Sequence, residues 1–346
     1  MSEHDLSDEG VAARLEPVAR RALREYGLAP DSALTLLNVS ENATYAVDDA
    51  ATGDRTVLRF HRRGYHDAGA IASELAWLDA VREEEGLRTP RVLPAPDGRR
   101  VLALAEDGSP DPRHVVRFEW LPGIEPTPSD ERLPRWFELL GAVTARLHRH
   151  ARTWRTPPGF HRFAWDYDGA FGGVARWGRW QDGVAVGPEE REVLGRLDDT
   201  LRRRLAAYGT GPERYGLIHA DLRLANLLVD DVGVGAGGKT EVETYLIDFD
   251  DCGFGWFLYD FGAAVSFFEH DPRIPELTDA WVRGYRTVSD LPAADEAEIP
   301  TFVLMRRLLL VSWIGSHAGT DLAREMGAEY TATSCRLAEE YLGRFG

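Results

Sequence analysis

Ile218-His219-Ala220-Asp221-Leu222-Arg223-Leu224-Ala225-Asn226-Leu227-Leu228-Val229, followed after a Gly-rich stretch by Tyr245-Leu246-Ile247-Asp248-Phe249-Asp250-Asp251, decides how this chain reads. An aspartate and an asparagine stand five positions apart just ahead of a short apolar strand, and a second aspartate closes another apolar strand 22 residues past the asparagine. Phosphoryl transfer needs a carboxylate beside the attacking hydroxyl, and hard oxygen ligands that hold magnesium against a triphosphate. The pattern H-x-D-x-x-x-x-N…D offers those parts. Asp221 reads as the base that holds and deprotonates an acceptor hydroxyl, and Asn226 and Asp248 read as the metal ligands. His219 reads as a neutral imidazole bracing the loop that carries Asp221. Asp250 either assists a second metal or caps the following turn. Asp260 opens a predicted helix, where a carboxylate can accept backbone N–H groups, here from the Asp221 loop.

Composition narrows what such a site can serve. With 346 residues the chain is long enough for two units with cores of their own. Asp+Glu 57 against Lys+Arg 40 gives a formal charge of −17. That balance argues against nucleic acid and anionic membrane as partners, since phosphate contacts need a basic face. It is compatible with a cationic substrate. The polar N-terminus has no apolar h-region, and no sequence run approaches the roughly 18 apolar residues that a membrane span needs. Two cysteines, Cys252 and Cys335, make no disulfide framework, so a reducing cytoplasm is the expected setting. Lys239 is the single lysine; every other basic side chain apart from histidine is arginine.

Outward from the signature, the periodicities change along the chain. Val11, Leu15, Val18, Leu23 and Tyr26 predict an amphipathic helix over 8–26 with Ser7 as N-cap. Leu34–Val39, Ala43–Asp48 and Arg55–Arg62 read as strands separated by polar turns. Ile71–Glu85 returns to helical spacing, and Arg100–Ala105 and His114–Trp120 are two further strands. Residues 1–120 are therefore expected to form a small sheet with a crossing helix. Leu121-Pro122-Gly123 reads as a hinge, and 124–346 as a mostly helical remainder. That remainder has helices over 133–150, 189–208, 258–270, 275–287, 296–315 and 321–345, with an irregular aromatic stretch at 156–187.

The signature from Asp221 to Asp260 resembles that of the aminoglycoside phosphotransferase and choline kinase-like family, and the resemblance extends over most of the chain. Leu37-Asn38-Val39-Ser40-Glu41-Asn42-Ala43-Thr44-Tyr45-Ala46-Val47 is similar to the family's nucleotide loop. Ser73-Glu74-Leu75-Ala76-Trp77-Leu78 resembles its conserved helix, and Leu147-His148 its helix ahead of the catalytic loop. The resemblance implies an α+β, two-lobed protein-kinase-like fold, with a small antiparallel sheet lobe and a larger mostly helical lobe. Two departures stand out. The loop lacks G-x-G-x-x-G, which leaves backbone N–H groups and small side chains around Ser40 and Asn42 to hold phosphates. The family's strand lysine falls on Arg59, with Glu74 in the role of its helix partner; a guanidinium presents a planar fork where lysine presents a point charge. The resemblance further implies adenine packed between Val47 above and Leu228 and Ile247 below, with hinge hydrogen bonds from the backbone of Glu119 to Leu121.

Two other motifs compete for attention. Gly233-Val234-Gly235-Ala236-Gly237-Gly238-Lys239-Thr240 fits G-x-x-x-x-G-K-[ST], but a phosphate-binding loop of that kind needs a helix after it. Glu241–Ile247 instead alternates polar and apolar β-formers, so the glycines read as a hairpin tip. Trp165, Tyr167, Phe171, Trp177 and Trp180 beside Asp166 and Asp168 read either as a cation–π pocket for an amine or as helix packing. The expected function is ATP-dependent phosphorylation, with GTP as the alternative nucleotide and Mg2+ as the metal. The expected acceptor is a hydroxyl of a small molecule, a metabolite or an aminoglycoside-like antibiotic. A stress-response-type Ser/Thr protein kinase is the alternative, and a nucleotide-binding pseudokinase module the third reading.

Overall fold

The computed structural model describes residues 8–39, 42–173, 175–234, 240–317 and 321–346. Ser7, Ser40 and Lys239 therefore lie outside the described residues. The chain divides into two units, one of Met1–Pro122 with Thr156–His161 and one of Gly123–Arg155 with Arg162–Gly346. Thr156–His161 joins the first unit because His161 is held there. Its N–H donates to Ser73 Oγ at 3.0 Å, and its Nε2 meets Asp67 Oδ1 at 3.0 Å.

The first unit begins with helix α1 (Asp8–Glu25) and continues through strands β1 (Ala33–Val39), β2 (Ala43–Asp48) and β3 (Arg55–Phe60). Helix α2 (Ala68–Glu85) follows, then β4 (Val101–Leu104) and β5 (Arg113–Glu119). The five strands form one antiparallel sheet in the order β1-β2-β3-β5-β4. Because side chains alternate along a strand, the pairing Tyr45↔Leu58 puts Ala43, Tyr45, Val47, Leu58 and Phe60 on one face, where they form a core with Leu15, Val18 and Leu23 of α1. The pairing Ala46↔Val57 puts Ala46, Val57 and Arg59 on the other face. Helix α2 starts where the Asp67 carboxylate accepts the Ala70 N–H, and ends at Gly86 in the left-handed region.

The second unit contains α3 (Leu133–Thr153), β6 (Ala164–Trp165), α4 (Tyr167–Phe171), α5 (Pro188–Tyr208) and β7 (Tyr215–Ile218). A hairpin of β8 (Leu227–Val234) and β9 (Thr240–Leu246) comes next, then β10 (Gly253–Trp256) and helices α6 (Tyr259–Ala264), α7 (Ile274–Arg286), α8 (Ala293–Glu296), α9 (Ile299–Ser316) and α10 (Asp321–Phe345). Helices α3 and α7 approach so closely that a Cβ on Gly141 would stand 2.1 Å from the Trp281 carbonyl oxygen. A Cβ on Gly284 would likewise meet the Glu138 carbonyl, so this crossing is one that only glycine permits. The β8–β9 register Leu227↔Leu246 gives Thr240–Leu246 an extended backbone, so no helix follows the Gly-rich stretch and the phosphate-loop reading fails. The expected helix over 258–270 is shorter: α6 stops at Ala264, and Phe267 takes φ 76. Ala293–Ser316 is apolar and long enough to cross a membrane, contrary to the reading that no run approaches that length, yet 83% of its apolar window is buried inside the protein.

Candidate active site

Strand β7 delivers the chain to His219 and Ala220, where an unusual backbone is held in place. Ala220 has φ 65, a left-handed conformation that costs an alanine about 1–2 kcal/mol. Asp260, fully buried in the first turn of α6, accepts the Ala220 N–H at 2.8 Å and the His219 N–H at 3.2 Å. A third donor reaches it from α3, since His148 Nε2 lies 3.0 Å from Asp260 Oδ2 while Tyr285 Oη meets His148 Nδ1 at 3.1 Å. A neutral imidazole with its proton on Nε2 satisfies both contacts. Asp260 thus does what its helix-start position predicts, and its carboxylate offsets the cost of the αL residue. His219 braces the same loop from the other side, its Nε2 donating to the Ile247 carbonyl at 3.1 Å.

The buried His148 has a consequence for pH. Burial pushes its proton affinity below the ordinary imidazole value, and the neighbouring Asp260 only partly opposes this. A histidine whose folded pKa is depressed leaves the unfolded chain as the better proton binder, so stability falls as pH drops below about 6.5. The slope contributed by one such group approaches about 1.4 kcal/mol per pH unit. Denaturant unfolding at pH 7.5 and pH 5.5 should show that loss, and His148→Gln should flatten it. An equal slope in the variant would remove His148 as the cause.

Asp221 follows Ala220 and is surrounded by donors. Arg306 Nη2 of α9 reaches its Oδ1 at 2.7 Å, Asn226 Nδ2 its Oδ2 at 2.9 Å, and Arg223 Nε both oxygens at 3.1 Å. Burial alone would raise the pKa of Asp221; the guanidinium charges of Arg223 and Arg306 outweigh it and hold the carboxyl below its usual range. The group is therefore a carboxylate at neutral pH. Arg306 is the residue that sequence reasoning missed. It lies inside an apolar core helix, 85 positions from its partner, and nothing in local spacing points from one to the other.

Asn226 also donates from Nδ2 to the Asp221 carbonyl at 2.7 Å, which leaves Oδ1 as the atom available to a cation. The Asn226 carbonyl accepts the Ile247 N–H at 3.0 Å and so ties the loop to the segment that carries Asp248. Asp248 is exposed and has φ 59, a left-handed turn that aspartate tolerates better than most residues. One amide oxygen and one carboxylate make a hard-oxygen donor set, the kind that suits magnesium or calcium. Leu228 and Ile247, both half-buried, follow one another on the same face of the hairpin, because Leu228 pairs with Tyr245.

In the first unit Arg59 and Glu74 meet as an ion pair of 2.5 Å, with side chains 7% and 0% exposed. The Arg59 guanidinium also lies 5.0 Å from the Phe118 ring centroid. Val47 does not share this face. Expected over adenine, it is instead fully buried in the core beneath α1, whereas the register places Ala46 beside Val57 on the Arg59 side. Asn42 is buried and its Oδ1 accepts the Arg62 N–H at 3.0 Å. At the expected hinge the Glu119 N–H is already engaged, donating to the Arg91 carbonyl at 2.9 Å.

Of the aromatic stretch, Trp165, Trp177 and Trp180 are buried and serve packing: Trp165 stacks with Tyr259 at 6.1 Å and meets Trp177 edge-on at 5.0 Å. Tyr167, Phe171, Asp166 and Asp168 instead line an open groove of about 890 Å³ in the second unit.

A microcompartment-associated aminopropanol kinase of known structure is 49% identical, superposes with a TM-score of 0.87, and matches over 96% of this chain and 98% of that one. An amicoumacin kinase solved with AMP-PNP and Ca2+ has a TM-score of 0.74 at 24% identity, over 96% of this chain and 95% of that one; it shares the fold. The amicoumacin kinase of Bacillus subtilis (strain 168) is 24% identical over 305 residues, 85% of this chain and 83% of its own. The architecture is thus the α+β protein-kinase-like fold expected from the signature. Since the model of the phosphotransferase enzyme family matches residues 34–297, which take in Arg59, Glu74, Asp221, Asn226 and Asp248, the chain belongs to that family and is a kinase.

Proposed function

We propose that this kinase transfers the terminal phosphate of ATP, with Mg2+, to the hydroxyl of a short amino alcohol. The observation that carries the substrate class is the 49% identity to an aminopropanol kinase over 96% of the chain. The excess of acidic residues, 57 against 40 basic, suits an amine-bearing acceptor and agrees with it. In this reading Asp221 orients the acceptor hydroxyl. Held ionised by two arginines, it accepts the hydroxyl's hydrogen bond in the ground state and takes the proton only as the oxygen bonds to phosphorus. Asn226 Oδ1 and the Asp248 carboxylate would hold the metal, which when bound neutralises phosphate charge. Arg59, oriented by Glu74, would pair with the nucleotide phosphates as a fork rather than as a point charge. Leu228 and Ile247, on one face of the hairpin, would floor the base.

The test is a panel. Purified protein with ATP or GTP, and with Mg2+ or EDTA, is offered aminopropanol, ethanolamine, choline, aminoglycosides, amicoumacin and a generic protein acceptor. Phosphate transfer to a short amino alcohol with Mg2+ and ATP is expected, and EDTA should stop it. Transfer confined to the protein acceptor, or to none of them, would sink the reading.

A further inference from the structure

We propose that Arg306 is a positioning residue of the transfer reaction, fixing the Asp221 carboxylate so that only Arg223 has to yield to the acceptor hydroxyl. The inference rests on the assignment of Asp221 as the base. A carboxylate has about four lone-pair positions. On Asp221 they are taken by Arg306, Asn226 and the shared Nε of Arg223. An incoming hydroxyl must therefore displace a donor, and the three donors differ in how firmly they are held.

Arg306 is 2% exposed and anchored on every side. Its Nε donates to Ser266 Oγ at 3.1 Å, and its Nη1 donates to Tyr259 Oη at 3.1 Å and to the Ala220 carbonyl at 3.3 Å. Its guanidinium carbon lies 5.0 Å from the Trp177 ring centroid. Asn226 is pinned by its second bond to the Asp221 backbone. Arg223 has a side chain 34% exposed and, besides Asp221, has the half-buried Phe267 ring 5.7 Å away and the charge of Glu125 near it. Displacement therefore falls to Arg223. Arg306 stays, and because it grips both the Asp221 carboxylate and the strained Ala220 peptide, it sets the angle at which the remaining lone pair meets the acceptor.

The neighbouring arginine supplies a control. Arg307, 1% exposed, is equally buried in α9, but it pairs with Glu269 and bonds Ser334 Oγ and the Tyr330 carbonyl, away from Asp221. Burying a guanidinium in a core helix costs several kcal/mol unless it is fully paired. Arg307 shows that the pairing can be met by a purely structural set of partners. Arg306 spends its pairing on the reacting group instead.

In the experiment, Arg306→Met and Arg307→Met are compared with the unaltered protein for kcat and for the KM of each substrate, with folding followed by near-UV circular dichroism. Arg306→Met is expected to lower kcat about 100-fold, the scale of a small misplacement of a reacting group, with both KM values within threefold. Added guanidinium should recover part of that loss in Arg306→Ala. Arg307→Met should change stability and leave kcat within threefold. If Arg306→Met does not fold, Tyr259→Phe reads the same chain of contacts, and a kcat at least threefold lower at unchanged KM is expected. Unchanged kcat in whichever variant folds, or a loss in Arg306→Ala that guanidinium does not touch, overturns the proposal. A crystal structure of Arg306→Met separates this proposal from the functional reading. An Asp221 carboxylate in its original position sinks the role of Arg306, whereas an unaltered protein inactive on every acceptor sinks the functional reading alone.

Discussion

Asp221→Asn is expected to lower kcat about 1,000-fold, the middle of the range a positioned general base contributes. The loss has two sources. The amide cannot take a proton, so the acceptor oxygen has to expel its own proton to solvent. The amide also carries one acceptor oxygen where the carboxylate carries two, yet it must face Arg306 Nη2, Asn226 Nδ2 and Arg223 Nε. At least one donor then meets an N–H group, and the buried Arg306 loses its anion. A stability loss of about 1–3 kcal/mol should accompany the kinetic one, smaller than for an isolated buried pair because Tyr259, Ser266 and the Ala220 carbonyl still hold the guanidinium. Steady-state kinetics on the best acceptor and a denaturant melt check both halves. A variant that retained more than a tenth of the activity would remove Asp221 from the chemistry.

Arg59→Ala is expected to have the second largest effect. It removes the cation proposed to face the nucleotide phosphates, and kcat/KM for ATP should fall about 100-fold, the loss typical of a preorganised group at a developing charge. It also removes one partner of a carboxylate with no solvent exposure, so a destabilisation of about 1–3 kcal/mol is expected. Arg59→Lys distinguishes the two effects. It keeps the charge and much of the stability but loses the planar fork, so it should bind ATP more weakly than the parent while melting near it. Should Arg59→Ala bind and use ATP as the parent does, the phosphate role would pass to another group.

The order in which these features became legible follows their range along the chain. The spacing from Asp221 to Asn226 spans a single loop and its strand, and the alternation of Glu241–Ile247 excluded a helix after the glycines before any coordinates were needed; the β8–β9 pairing has that strand. The pairing of Arg59 with Glu74 was implied by the family resemblance rather than by spacing, and the two side chains do meet as an ion pair. Val47 shows where such reading stops. Residues 46 and 47 are both small and apolar, and a shift of one residue exchanges the two faces of the sheet. Only the packing of α1 against Tyr45, Leu58 and Phe60 says which face is core. The helix expected to continue to 270 ends at Ala264 for a similar reason. Its apolar pattern carries on, but Phe267 is drawn into a left-handed turn among Arg223, Trp313 and Tyr330, all distant in sequence.

By itself the sequence determined the strands of the signature and, through its resemblance to a known family, the family and the class of fold, because alternation along a strand and the spacing of Asp221, Asn226 and Asp248 are local properties. The tertiary structure decided what holds Asp221 and its loop. Asp260 pins an αL alanine from α6, His148 reaches Asp260 from α3, and Arg306 reaches Asp221 from the core helix α9. Each of these contacts joins positions at least 40 residues apart. A charged residue in an apolar core helix is a cost that only its distant partners offset, and the identity of those partners is a property of packing rather than of pattern.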